Sequence, residues 1–534
     1  MTDTGLIQAN SKVTAEPVVN NDKIHPRSPS LDPTPLKKQK RVKTKRYREP
    51  PVDPISAEGV LINDIRALLK SQGISEDEIT NDMKAFFSRD KSVPYPDYQV
   101  VELKISALSS VGNGIGIWES PDPEAPSSIR KRVVVVPYAL VGETVKTKIY
   151  RTNKYYYESE LNEVVDKSPL RDDALVRCKY FTTCSGCQYQ MLPYDEQLKI
   201  KREVIVNAYA HYAPLLTSDD VPSILDTVGS PEQYNYRTKL TPHFDVPRKG
   251  RLERIPPIGF GVKGRKEVLD IEECVIGTPV INKGMVEQRK VVHENFASYK
   301  RGATILLREN IKEIEDSPST VVCTTDSKEI VTEYVGDFKF KYPAGSFFQN
   351  NNSILPSVTS YVRDNIVLPS SGKPPKYLVD TYCGSGLFGI TCSTAVEQLI
   401  GVEISKDSVE YAQKNAELNN LKNASFIVGE AEKIFDKVSD APLETSIIID
   451  PPRKGCDKQF LDQLLEFRPA KVVYVSCNVH SQARDIEYLL KSEVARDRSS
   501  NSGNKYIIDS IRGFDFFPQT HHVESVAVLS LKNN

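Results

Sequence analysis

Tyr377-Leu378-Val379-Asp380-Thr381-Tyr382-Cys383-Gly384-Ser385-Gly386 is the stretch that decides the fold. A short apolar run ends in an acid, and a glycine-bearing turn opens the helix that follows. Glycines at such a turn let backbone approach a ligand closely. About twenty residues on, Gly401-Val402-Glu403 closes a second apolar run with a carboxylate placed to accept both hydroxyls of a ribose. Many α/β loops need a tight turn, so the turn alone says little; the added acid makes it a nucleoside site. No full G-x-G-x-x-G is present and no diphosphate cradle is evident, which favours S-adenosylmethionine over NAD. From about residue 346 to the end, strands and helices alternate. Strands are expected at Tyr377–Asp380, Leu399–Glu403, Ser425–Val428, Ser446–Asp450, Lys471–Ser476, Tyr506–Gly513 and Val523–Leu531, with helices after Gly386 and over Ser405–Asn419. That alternation predicts a mainly parallel sheet covered on both faces.

Two further strand ends carry chemistry. Asp450-Pro451-Pro452-Arg453 leaves its strand through two prolines, which stiffen the exit and fix where the carboxylate points. Val475-Ser476-Cys477-Asn478 sets a thiol at the end of the apolar run Lys471 to Val475. A nucleotide-like cofactor beside a nucleophile points to methylation of a base. Uracil C5 is a poor nucleophile, but a thiolate added at C6 makes the ring an enolate whose C5 accepts a methyl group. A base must then take the C5 proton so that the thiolate can leave. Glu524, in His521-His522-Val523-Glu524-Ser525-Val526, begins an apolar strand, where partial burial raises a carboxyl's pKa. Alone, Cys477 reads equally as a buried structural thiol and Glu524 as a surface acid. The scheme requires the Cys477 thiol at the crevice bounded by Gly384 and Asp450.

The chain has 534 residues and a net charge of −1, so no whole-molecule charge argues for nucleic acid. Residues 1–55 are rich in Pro, Ser, Asn and Lys and are expected to be a disordered tail. Its basic block, Lys37 to Arg48, suits phosphate screening, nuclear import or a plain solvated tail. Residues 56–92 predict a small helical hairpin, Ile62, Ile65, Leu68 and Leu69 lining its first helix and Ile79 to Phe87 its second. Between 97 and 169, short strands at Val100–Ile105, Gly114–Trp118, Arg132–Val136 and Thr144–Tyr150 predict an OB-like barrel. Lys146, Lys148, Arg151 and Lys154 beside Tyr155-Tyr156-Tyr157 suit RNA, though a barrel core accounts for the tyrosines as well. A central region, 170–345, holds Cys178, Cys184, Cys187 and Cys274. Four thiolates suit a [4Fe–4S] cluster or zinc, and unligated reduced cysteines are equally open; the expected role is structural. Nine scattered cysteines do not form a secreted disulfide framework, and no apolar run approaches a membrane span. A soluble intracellular monomer is expected, in cytoplasm or nucleus, with the mitochondrion left open.

These motifs together resemble the S-adenosylmethionine-dependent RNA 5-methyluridine methyltransferase family, its tRNA (uracil-5-)-methyltransferase branch most of all. The likeness covers about residues 97–531. Ser346-Phe347-Phe348-Gln349-Asn350-Asn351-Asn352 carries it together with the Asp380–Gly386 turn, Asp450–Arg453, Ser476-Cys477-Asn478 and His522-Val523-Glu524. It implies a Rossmann-like class I methyltransferase domain at 346–534, an N-terminal OB-like β-barrel of the TRAM kind, and a central α+β insert. It implies Cys477 as nucleophile, Glu524 as proton acceptor, and a cofactor pocket lined by Gln349, Tyr382, Glu403 and Asp450. The rRNA-modifying branch binds an iron–sulfur cluster at positions matching the four cysteines. The implied substrate is uridine 54 in the T-loop of tRNA. Methylation of cytosine C5, methylation of an exocyclic amine, and an RNA-binding or chaperone module are the competing readings. The first wants a second acid near N3, the second an aromatic where Arg453 stands, and the third would survive loss of Cys477.

Overall fold

The computed structural model describes residues 51–79, 99–121, 127–246, 254–314, 317–369, 371–429 and 441–533. The basic block at 37–48 and nearly all of the second helix expected at Ile79–Phe87 lie outside them. The first helix of the predicted hairpin runs Ala57–Ser71, its N-terminus capped by Ser56, whose Oγ accepts from the Gly59 N–H at 3.1 Å. Leu61, Ile62, Ile65, Leu68 and Leu69 recur at helical spacing and pack on Ile115, Val133 and Val135 of the barrel that follows.

That barrel closes from β1 (Val100–Leu108), β2 (Asn113–Pro121), β3 (Ile129–Pro137), β4 (Thr144–Thr152) and β5 (Tyr157–Asp166) in the order β1-β2-β3-β5-β4. Every neighbouring pair is antiparallel except β3 with β5, the connectivity of an OB fold. The fifth strand escapes the sequence reading because Glu158, Glu160 and Glu163 make it look like a charged loop. Its first residue also settles part of the tyrosine run: Tyr157 is wholly buried inside the barrel and Tyr156 is buried against the Ala57–Ser71 helix. Tyr155 lies beneath two cations, Lys154 at 4.8 Å and Arg66 at 5.5 Å from its ring centroid.

The largest sheet has eight strands. In chain order they are β6 (Leu225–Val228), β7 (Tyr377–Thr381), β8 (Gln398–Glu403), β9 (Ala424–Val428), β10 (Thr445–Ile449), β11 (Lys471–Ser476), β12 (Asn504–Phe514) and β13 (Glu524–Asn533). Their spatial order is β9-β8-β7-β10-β11-β13-β12-β6. The strands β9 to β11 run parallel; β13 turns back antiparallel between β11 and β12. Order reverses between β7 and β10, so a crevice opens beyond their carboxyl ends, where ligands bind in doubly wound sheets.

Both faces of the sheet are covered, which is why its strands read as continuous apolar runs. Ile447, Ile449, Val472 and Tyr474 face one core, which includes helices Tyr194–Tyr212 and Val479–Lys491; Ile448, Val473 and Val475 face the other, under helix Leu355–Asp364. Truncating any of these wholly buried isoleucines to Ala should cost about 2–5 kcal/mol. The segment Tyr194–Val228, expected in the central insert, instead supplies a helix and an edge strand to this layer, because Val204, Ile205, Ala208 and Tyr209 make one apolar face. The rest of the central region is a set of short sheets around helix Pro279–Asn295. Among the described residues no helix is long and apolar enough to cross a membrane.

Candidate functional site

Beyond β7 the chain adopts left-handed backbone three times, at Tyr382 (φ 62°), Gly384 (φ 53°) and Gly386 (φ 92°). Glycine accepts this freely, whereas Tyr382 does so at a cost of order 1–3 kcal/mol, the kind of strain that collects at ligand sites. The turn is held from two sides. Asp380, buried at the end of β7, accepts from the Gly389 N–H at 2.7 Å. Glu403, at the end of β8, accepts from the Gly384 N–H at 3.2 Å and the Ser405 N–H at 2.9 Å. Both Glu403 oxygens are thereby fixed, with lone pairs left for a ligand.

A cavity of about 800 Å³ occupies the crevice, and Gln349, Tyr382, Glu403, Asp450, Cys477 and Glu524 all line it, together with Gly384. The structure therefore brings the six site residues and the glycine turn together. Phe347 stands at its wall 76% exposed, while Phe348 is buried and stacked on Tyr342 with ring centroids 4.5 Å apart. Phe517 and His522 also line the cavity. Sequence reasoning gave Phe517 no role; the run Phe514-Asp515-Phe516-Phe517-Pro518 leading into the glutamate strand was the available signal. Leu387 borders the same space.

The electrostatics are acid against acid. Burial, then the charge of Asp450, pushes Glu524 up to about 8, with Arg453 pulling the other way. Burial pushes Asp450 up to about 7. Asp380 rises to about 8 through burial, reinforced by Asp450 and Glu403. The Cys477 thiol is pushed up to about 12 by burial and by Glu524 and Asp450, again opposed by Arg453. Such a wall favours a cationic ligand, and a fixed carboxylate beside a glycine turn suits a ribose. The residues present fit a positively charged nucleoside.

Asn478, next to Cys477, caps helix Val479–Lys491 by accepting from the His480 N–H at 3.2 Å, and donates to the Arg453 carbonyl at 2.9 Å. The loop after Asp450 is pinned from below by buried Asp485, which accepts from the Cys456 N–H at 2.8 Å and Tyr474 Oη at 2.7 Å.

The four central cysteines are half-buried free thiols. They are neighbours, since burial and then the charges of Cys184 and Cys178 raise Cys274 to about 11. Among the described residues, however, no three His, Cys, Asp or Glu side chains are arranged to hold a metal ion, so the donor set does not fit one in this geometry.

Residues 329–532 match the tRNA (Uracil-5-)-methyltransferase family model and residues 98–161 the TRAM domain model. The tRNA (uracil(54)-C(5))-methyltransferase of Saccharomyces cerevisiae is 44% identical, the alignment covering 92% of this chain and 84% of that protein. The enzyme of the same description from Schizosaccharomyces pombe is 47% identical over 92% and 87%. The crystal structure of Pyrococcus abyssi tRNA (uracil-54, C5)-methyltransferase in complex with S-adenosyl-L-homocysteine shares the fold at a TM-score of 0.57 and 23% identity, over 80% of this chain and 99% of that one.

Proposed function

The chain belongs to the tRNA (uracil-5-)-methyltransferase family, and on that premise we propose that it methylates C5 of uridine 54 in the T-loop of tRNA. The observation that carries the reading is one cavity bounded jointly by Cys477, Glu524, Asp450 and the Gly384–Glu403 crevice. Uridine 54 is stacked and paired in its loop, so the base must be extruded to reach that cavity.

Gln349, Tyr382, Glu403 and Asp450 would hold S-adenosylmethionine, Glu403 through the ribose hydroxyls. When bound, this cofactor supplies an electrophilic methyl group and leaves as S-adenosylhomocysteine. Cys477, its proton released to solvent, forms an S–C6 bond, and the C5=C6 electron pair moves into the C5–C4–O4 enolate. C5 then bonds the methyl carbon. The Glu524 carboxylate takes the C5 proton, the pair left behind re-forms C5=C6, and the C6–S bond breaks to return the thiolate. No electron is transferred overall, so Cys178, Cys184, Cys187 and Cys274 are assigned a structural place only.

The test is tRNA carrying 5-fluorouridine at position 54, whose fluorine cannot leave as a proton does. The enzyme should accumulate a covalent adduct, and Cys477→Ala should form none and lose turnover. An adduct that persists in Cys477→Ser would discard the assignment. Retention of RNA annealing by Cys477→Ala would leave an RNA-chaperone role standing beside catalysis.

A further inference from the structure

A second cavity, of about 300 Å³, shares Arg453, Lys454, Cys477 and His522 with the first. Its other wall is the segment Asp53–Val60, which enters the Ala57–Ser71 helix and has no part in the reaction above. That wall is built and held. The Ile55 carbonyl accepts from Asn478 Nδ2 at 3.3 Å, tying it to the residue after the nucleophile. The Pro54 carbonyl accepts from Tyr212 Oη at 2.8 Å, and Tyr212 Oη accepts from Asn63 Nδ2 at 2.7 Å. Asp64 anchors the helix to the barrel by accepting from the Ser110 N–H at 2.7 Å and Ser110 Oγ at 3.1 Å.

Chemistry says what must pass here, given the covalent reading on which the inference rests. C6 of a pyrimidine adjoins N1, the atom that carries the ribose. A uracil whose C6 is bonded to Cys477 Sγ therefore holds its ribose beside that sulfur, and the strand must leave through the adjoining space. Arg453 and Lys454 stand at the seam, both exposed, as counterions for a backbone phosphate. His480 and His521 line the same space, His480 buried with its ring 5.0 Å from that of Tyr212 and His521 with its ring 4.0 Å from that of His522. Asp53 is the one acid among the residues lining this cavity, and its Oδ1 is occupied by the Ile55 N–H at 3.2 Å. A volume of about 300 Å³ is at the small end of ligand pockets and suits one nucleotide rather than a stretch.

We propose that the second cavity receives the nucleotide adjoining the target uridine, with Asp53–Val60 as its outer wall. The N-terminal segment is then part of the RNA-binding surface beside the nucleophile, apart from the barrel.

Ala57 is the position to test. It is exposed and opens its helix, so a larger side chain there leaves the core alone, and a glutamate suits a helix's first turn. With full-length enzyme and a T-arm hairpin bearing 5-fluorouridine at the target position, Ala57→Glu should weaken RNA binding and slow adduct formation by about tenfold or more. Ala57→Gln should do so less, and S-adenosylmethionine affinity should not change in either. Wild-type behaviour of both variants overturns the wall. Benzoylphenylalanine at position 57 provides a second reading: irradiation should crosslink it to the nucleotide next to the target. No crosslink, or crosslinks only to the stem, overturns the inference. If the wild-type enzyme forms no adduct, the covalent reading fails instead, and the crosslink judges the wall by itself.

Discussion

At the scale of single residues, the site sets the proposed nucleophile and the proposed base in protonation states that oppose their work. Glu524, held up at about 8, is mostly protonated at neutral pH, and Cys477, at about 12, is a thiol. Both must lose a proton, and the Cys477 thiolate is the scarcer form throughout, so turnover should rise with pH by about tenfold per unit or more below about pH 8 and go on rising above it. A kcat profile flat between pH 6.5 and 9 would remove Glu524 as base. Glu524→Gln should lower turnover by about 10²–10⁴-fold while adduct with ordinary uridine RNA accumulates. Unchanged product release would speak against it directly. Arg453 opposes the rise of both groups, so Arg453→Met should move the profile to higher pH as well as weaken RNA binding.

At the scale of elements, the loop after Asp450 depends on a helix that contributes no reacting group. Buried Asp485, on helix Val479–Lys491, accepts from Cys456 N–H and Tyr474 Oη, and Arg484 Nη2 donates to the Lys454 carbonyl at 2.9 Å. Asp485→Ala orphans both buried donors, at about 1–3 kcal/mol each. It should lower stability to urea and weaken S-adenosylmethionine binding through the displaced Asp450, whereas Asp485→Asn, which keeps an acceptor, should do less. Full retention of both properties would mean the loop holds itself. This division explains what the sequence made legible. Asp380, Glu403, Asp450 and Cys477 sit at or just past strand ends, where an apolar run stopping at a polar residue is a local signal. Asp485 and Asn63 act from within helices, across 29 and 149 residues, and Tyr474 acts from mid-strand across 11, and no local pattern announces them. The same limit hid the Asp53–Val60 wall and the transfer of Tyr194–Val228 to the main sheet. Tyr155-Tyr156-Tyr157 reads the same whether it faces RNA or a core, and only the packing of the helix Ala57–Ser71 and of β5 separates one use from the other.

At the scale of the whole molecule, three carboxyls, two buried and Asp450 partly so, make folding and ligand binding pull on the same protons. Asp380, Asp450 and Glu524 stand at about 8, 7 and 8, against ordinary values near 4. Between pH 6 and 9 the native protein holds protons that the unfolded chain has already released, so the unfolding free energy falls as pH rises through the native values. The contribution is intact at low pH and lost above about 8, at up to about 1.4 kcal/mol per pH unit for each proton retained. Ligand-free enzyme should therefore melt lower at pH 8.5 than at pH 6.5, and Asp380→Asn should flatten that slope. A cation in the cavity reverses the bias, because it favours the ionised carboxyls that desolvation and mutual repulsion oppose. S-adenosylmethionine carries a sulfonium charge that S-adenosylhomocysteine lacks, so their affinities should diverge with pH. The ratio of the two Kd values should shift at least about threefold toward the methyl donor from pH 6.5 to pH 8.5. Calorimetric titration of both ligands at the two pH values decides it. A constant ratio would mean that the acid wall does not sense the sulfonium, and that discrimination between donor and spent cofactor comes from shape alone.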